Sequence, residues 1–168
     1  METATLGKVS MEVDAALTRH IYASIVSGET ERCGCAYCRN YIAQLPHLFP
    51  REVIAFFEQC GIDINKDADV GQVGETRPGF YLYMGEYSFI CKMPPPVDDD
   101  ELPNGFKFTI TLPSPVMQDE FLNVPSARCF RFSHEIPWVL NERPYPALKR
   151  DCAKARSPLY LTSDPEIS

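Results

Sequence analysis

The stretch FYLYMGEYSFIC, residues 80–91, sets large apolar and aromatic side chains on either side of a central Gly85–Glu86 pair. Successive side chains of a β-strand point to opposite faces, so alternation of this kind reads as extended structure. Glycine at the first central position of a two-residue turn fits type II′ geometry, and the stretch is therefore predicted to form a β-hairpin. That register opposes Met84 to Tyr87, Leu82 to Phe89 and Phe80 to Cys91. Those six side chains then share a core face, while Tyr81, Tyr83, Ser88 and Ile90 take the other. Cys91 becomes a structural cysteine. Loops from the proline-rich half are expected to cover Tyr81 and Tyr83; if uncovered, the two would be an aromatic interaction surface with the acidic run as a charged rim.

Two further strands are expected downstream. In FKFTITL, Phe106, Phe108, Ile110 and Leu112 alternate with Lys107, Thr109 and Thr111. In RCFRFSHEI, Phe130, Phe132 and His134 fall opposite Cys129, Arg131 and Ser133, which makes His134 a core histidine rather than a catalyst. The DDDE run at Asp98–Glu101, flanked by prolines, reads as a solvated loop. Twelve of the fifteen prolines lie at or beyond Pro94, which assigns strands and loops to the second half and helices to the first.

Asp14 can cap a helix to about Val26 with Leu17, Ile21 and Ile25 stacked, although the alternation of Ile21, Ala23 and Ile25 also permits a strand. SGETER reads as a polar turn, followed by a short helix from about Tyr37 to Leu45 that Pro46 ends. The next helix is the clearest. Pro50 suits a helix start, Val53, Phe57 and Cys60 form one apolar face, and Gly61 suits the residue beyond the helix end. Cys60 is then a core residue. The expected class is α+β: N-terminal helices with a cysteine-rich knuckle, packed on an antiparallel sheet of about four strands.

With 168 residues and ordinary composition, the chain is expected to form one domain over residues 1–142, with 143–168 a peripheral extension of it. A net charge of −7 argues against general nucleic-acid binding. The small basic stretch around Arg143, Lys149, Arg150, Lys154 and Arg156 reads as a solvated terminal helix. No apolar run approaches a membrane span, and METATLGKVSMEVDAAL lacks the pattern of a signal peptide, so the expected location is the cytoplasm. There the seven cysteines would be mostly reduced.

The chemistry lies in ERCGCAYCRNYIAQ, where Cys33, Cys35 and Cys38 place three thiols within six residues. Gly34 lets the backbone turn so that the sulfurs converge. Thiolates this close repel one another unless a cation neutralises them, and Zn²⁺ favours tetrahedral sulfur ligation. Cys38, in the first turn of a helix, also meets free N–H groups that favour a thiolate. The three are thus candidate metal ligands, with zinc as the expected ion. His47 is the nearest further candidate in sequence, but the intervening helix would carry it about 13 Å from Cys38, and His20, Cys129, Cys152, a water or a substrate atom could complete the set instead. Two other readings stand beside this one: a redox pair of Cys35 and Cys38, and three reduced thiols with no special role. CAYCR resembles the active-site segment of thioredoxin-like proteins, but no apolar strand precedes it. No catalytic residue emerges, since the chain has no G-x-S-x-G, no phosphate-binding glycine loop and no H-E-x-x-H.

The order CGCAYCRNY, FPREVIAFFEQCGIDINK, YLYMGEYSFICK and FSHEIPWVLNE resembles a bacterial family of small proteins, over about Cys33 to Glu142. The resemblance implies no activity, ligand or partner. From the residues, the expected function is a metal-stabilised cytosolic interaction module, of inhibitor or immunity type, whose acidic surface binds a basic protein partner. The alternatives are a thiol–disulfide redox protein using Cys35 and Cys38, and a zinc enzyme with an open coordination position.

Overall fold

A computed structural model describes residues 1–92, 97–142 and 144, with the backbone alone at 46 and 97–99. The basic C-terminal stretch and Cys152 lie outside the described residues. The fold is α+β, as expected, but its sheet has seven strands rather than about four. In chain order these are β1 (Glu2–Leu6), β2 (Val9–Val13), β3 (Asp69–Arg77), β4 (Phe80–Lys92), β5 (Val97–Glu101), β6 (Lys107–Thr111) and β7 (Ala127–Pro137). The helices are α1 (Ala15–Ser24), α2 (Glu29–Cys33), α3 (Ala36–Leu48), α4 (Arg51–Cys60) and the short α5 (Asp119–Leu122). The main path runs β1-β2-β4-β7-β6-β5, with β3 also paired to β4, and the pairings are antiparallel.

The expected hairpin at 80–91 does not form. Those residues lie in the single strand β4, which pairs with β7 without a break from Phe80 opposite Pro137 to Ile90 opposite Ala127. Its other edge is filled in three parts. Val13 and Glu12 pair with Cys91 and Lys92, and Asp69 begins the pairing with β3 opposite Glu86. Between them α1 satisfies the backbone. The Asp14 N–H donates to the Ile90 carbonyl at 2.9 Å, the Ile90 N–H to Thr18 Oγ1 at 3.1 Å, and the Tyr22 hydroxyl to the Ser88 carbonyl at 2.9 Å.

Gly85 explains the misreading. It lies mid-strand opposite Phe132, and a β-carbon there would come within 2.7 Å of Val70 Cγ2 and closer still to the Phe132 ring. The glycine marks a close approach of side chains, not a turn. A continuous strand puts Tyr81 and Tyr83 on the same face as Tyr87, Phe89 and Cys91, contrary to the expected register. Both tyrosines are buried, so they form no exposed interaction surface. Tyr41 of α3 stacks on Tyr83 and Phe132, while Phe56 and Phe57 of α4 pack on Phe89, Tyr87 and Phe130.

On the opposite face, Glu86 is fully buried. It accepts hydrogen bonds from Ser114 Oγ at 2.6 Å and Arg131 Nε at 2.8 Å. The segment that carries Ser114 continues to Phe121, which packs edge-on against Tyr22. The centre of the sheet is therefore covered on both sides, which is why its sequence offers no polar face to set the register.

Other elements match their sequence signals more closely. Asp14 caps α1 by accepting from the Leu17 N–H at 2.9 Å, although Leu17 itself is exposed and Thr18, Ile21 and Tyr22 form the buried side. Helix α4 ends with Gly61 in the left-handed region (φ 77°) and the Ile62 N–H bonded to the Phe57 carbonyl at 2.9 Å. SGETER, expected as a turn, supplies α2. Helix α3 continues through Pro46 to Leu48; a proline so near the helix end removes only the bond to the Ile42 carbonyl. The DDDE run is strand rather than loop, pairing as part of β5 at the sheet edge, where charge discourages pairing with other chains.

Cys60, Cys91 and Cys129 are buried core residues, as expected for the first two. Burial pushes the Cys60 and Cys129 thiols well up and the Cys91 thiol up to about 11, so all three are inert at neutral pH. His134 is half-buried against the Phe106 ring, and desolvation holds its pKa below the usual value. A histidine with a depressed folded-state pKa binds fewer protons folded than unfolded, so stability falls as pH drops through about 6.5. His134→Gln should therefore lose less stability than wild type between pH 7.5 and 5.5, as read from urea midpoints. Parallel losses in the two proteins would contradict this.

Candidate metal centre

The three cysteines meet where two helices join. Cys33 is the last residue of α2, Cys35 is the N-cap of α3, and Cys38 is the third residue of α3. Gly34 between them takes the left-handed conformation (φ 61°), and its N–H donates to the Thr30 carbonyl at 3.2 Å. That conformation closes α2, and the next residue, Cys35, already caps α3, so two residues join the helices. All three Sγ atoms lie within 4.8 Å of one another, placed so that one metal ion could bridge them. Cys38 is buried, and Cys33 and Cys35 are half-buried.

Both helices are tied down by buried polar groups. Asp67 holds the start of α2: its carboxylate accepts from the Thr30 N–H at 3.1 Å and the Thr30 hydroxyl at 2.5 Å, and its carbonyl from the Glu29 N–H at 3.2 Å. Gly28 lies so close that a β-carbon would be 2.5 Å from Asp67 Oδ1. Helix α3 is held by Asn40, which is fully buried. Asn40 Nδ2 donates to the Pro137 carbonyl at 3.1 Å, Asn40 Oδ1 accepts from the Val139 N–H at 2.9 Å, and Gln44 Nε2 also reaches Pro137 at 3.2 Å. The Tyr83 hydroxyl donates to the Tyr37 carbonyl at 3.0 Å. Burial raises the Tyr83 pKa, which keeps this donor protonated. Tyr37, between Cys35 and Cys38, packs edge-on with Tyr81 and Trp138 at centroid separations of 5.7 and 5.5 Å. Arg39 donates to the Gly34 carbonyl and pairs with Glu142, which brings the chain end of β7 beside the knuckle.

Among the described residues the convergent group contains only these three cysteines. His47 shares α3 with Cys38 but lies nine residues along it, an axial rise of about 13 Å. Cys129 is buried in β7, where its thiol is hydrogen-bonded to Glu86. His20 is exposed on α1 outside the group, and Cys152 lies outside the described residues. Two surface grooves, one around Tyr22, Ile62 and Lys66 and the other around Ile25, Asp69 and Met117, have no cysteine in their lining.

The sequence reading found the cluster but missed the residues that position it. Asn40 carried a weak signal, as a polar residue on the side of α3 that also buries Tyr41. Asp67 carried none, because its partner Thr30 lies 37 residues away. Among the described residues, no helix is long and apolar enough to cross a membrane. No family model, curated protein or solved structure matches this chain, so the resemblance of its four segments to a bacterial family adds no function and the site stands on its own geometry.

Proposed function

We propose that this protein is a metal-stabilised interaction module of the cytosol, with zinc held by Cys33, Cys35 and Cys38. The convergence of three sulfurs at one helix junction carries this reading. In a tetrahedral zinc site, Zn–S bonds of about 2.3 Å set the sulfurs about 3.8 Å apart, so the cluster needs to contract by about 1 Å at most. Gly34 and the anchored helix ends restrict the cluster to a narrow range of shapes, which suits a structural ion.

Beside the knuckle, Tyr37 and Trp138 are half-buried and Val139 is half exposed, a mixture of aromatic and aliphatic surface suited to a partner protein. The net charge of −7 favours a basic partner, as an inhibitor or immunity-type protein would have. A zinc enzyme would need an acid–base group beside the ion. Of the charged groups around the knuckle, Arg39 pairs with Glu142, Arg32 with Glu29, and the Asp67 carboxylate is engaged by Thr30. A redox role for Cys35 and Cys38 draws on their positions at the N-cap and third residue of one helix.

Cobalt titration of the reduced full-length protein tests the metal reading. We expect intense thiolate-to-cobalt charge transfer with the visible bands of a tetrahedral ion, saturating near one equivalent and lost in Cys35→Ser. Octahedral, weakly absorbing cobalt in the wild type would overturn it.

A further inference from the structure

We infer that Cys35 and Cys38 form a thiol-exchange site at which a low-molecular-weight disulfide, of the glutathione disulfide class, oxidises the pair and displaces the metal. This rests on the metal reading for its second half only. The two residues occupy the N-cap and the third position of α3. The N-cap and the third position lie on one side of the first helical turn, and no capping hydrogen bond ties the Cys35 side chain to the backbone. Residues three apart on a helix have β-carbons about 5–6 Å apart and a disulfide needs about 3.5–4.5 Å, so the pair closes with a shift of about 1–2 Å at the N-cap residue. The sulfurs are already within 4.8 Å. Cys33 is differently placed: it ends another helix and is separated from Cys35 by a left-handed glycine.

Exposure assigns the order of attack. Cys35 is half-buried and reachable from solvent, while Cys38 is only 2% exposed. The Cys35 thiolate attacks one sulfur of the small disulfide; a Cys35–S bond forms, the S–S bond of the reagent breaks, and one small thiolate leaves. The Cys38 thiolate then attacks the Cys35 sulfur, forming the Cys35–Cys38 bond and expelling the second small thiolate. Two protein thiolates are oxidised and one disulfide is reduced to two thiolates. The ion keeps Cys33 alone among the three and is released. Cys60, Cys91 and Cys129 are buried and cannot compete; Cys33 is half-buried like Cys35, but it lies at the end of another helix, across the left-handed Gly34.

The test is incubation of the zinc-loaded full-length protein with glutathione disulfide, followed by zinc release with a chromogenic chelator and by peptide mapping. We expect one Cys35–Cys38 disulfide for each zinc released, a stable glutathione adduct on Cys35 in Cys38→Ser, and no adduct at position 38 in Cys35→Ser. Cys33→Ser should still form the disulfide. Metal-free wild type should form it as well, so failure of the zinc reading would leave this result standing. Formation of Cys33–Cys35 instead, or an adduct-free Cys38→Ser protein, would overturn the inference.

Discussion

Gly85→Ala should destabilise the protein by about 3 kcal/mol, the upper part of the range for forcing extra volume into a packed core. The added methyl would lie within 2.7 Å of Val70 and against the Phe132 ring, which is itself held between Tyr41, Tyr87 and Phe106. None of these neighbours is the free end of a flexible chain, and Phe132 is buried in the central pairing of β4 with β7. Gly74→Ala is the control, since nothing lies within 4 Å of a β-carbon there. Urea unfolding should show a large fall in midpoint for the first variant and little change for the second. Equal, small effects would mean that β4 does not pack as one continuous strand.

Asp67→Ala should cost about 2–3 kcal/mol and loosen the knuckle at the same time. The substitution strips the Thr30 N–H and hydroxyl of their acceptor in a buried setting, and each donor left unsatisfied costs about 1–3 kcal/mol. Partial relaxation, with water entering beside Gly28, keeps the total below the sum. Asp67→Asn retains one carbonyl oxygen and should lose roughly half as much. Because Asp67 touches α2 and none of the cysteines is required for its bonds, the stability loss should persist in Cys35→Ser. An Asp67→Ala protein with wild-type stability would show that α2 is not anchored there.

The parts of the fold legible in the sequence were those whose signals are local. Asp14 capped α1, Pro50 and Gly61 bracketed α4, and alternation placed β6 and β7. The cysteine spacing gave the knuckle for the same reason, since three ligands within six residues need no tertiary information. What failed depended on partners distant in the chain. Gly85–Glu86 imitates a hairpin turn, yet Gly85 is dictated by Phe132 and Glu86 by Arg131 and Ser114. With both faces of β4 covered near Glu86, hydrophobic alternation could not choose between a turn and a straight strand. The N-terminal strands were overlooked because only Ala4, Leu6, Met11 and Val13 show a buried face, in segments of five residues. The wrong register put Tyr81 and Tyr83 on the face away from the helices, whereas both are buried, and the half-buried rings of Tyr37 and Trp138 lie at the knuckle.

The metal content of the untagged protein, purified under reducing conditions without chelator, tests the central claim most directly. Elemental analysis should find about one equivalent of zinc in the wild type and none in Cys38→Ser, and chelation of the wild type should lower its thermal midpoint. A wild-type protein that is metal-free, takes up neither zinc nor cobalt when offered, and unfolds at the same temperature with and without chelator would contradict it.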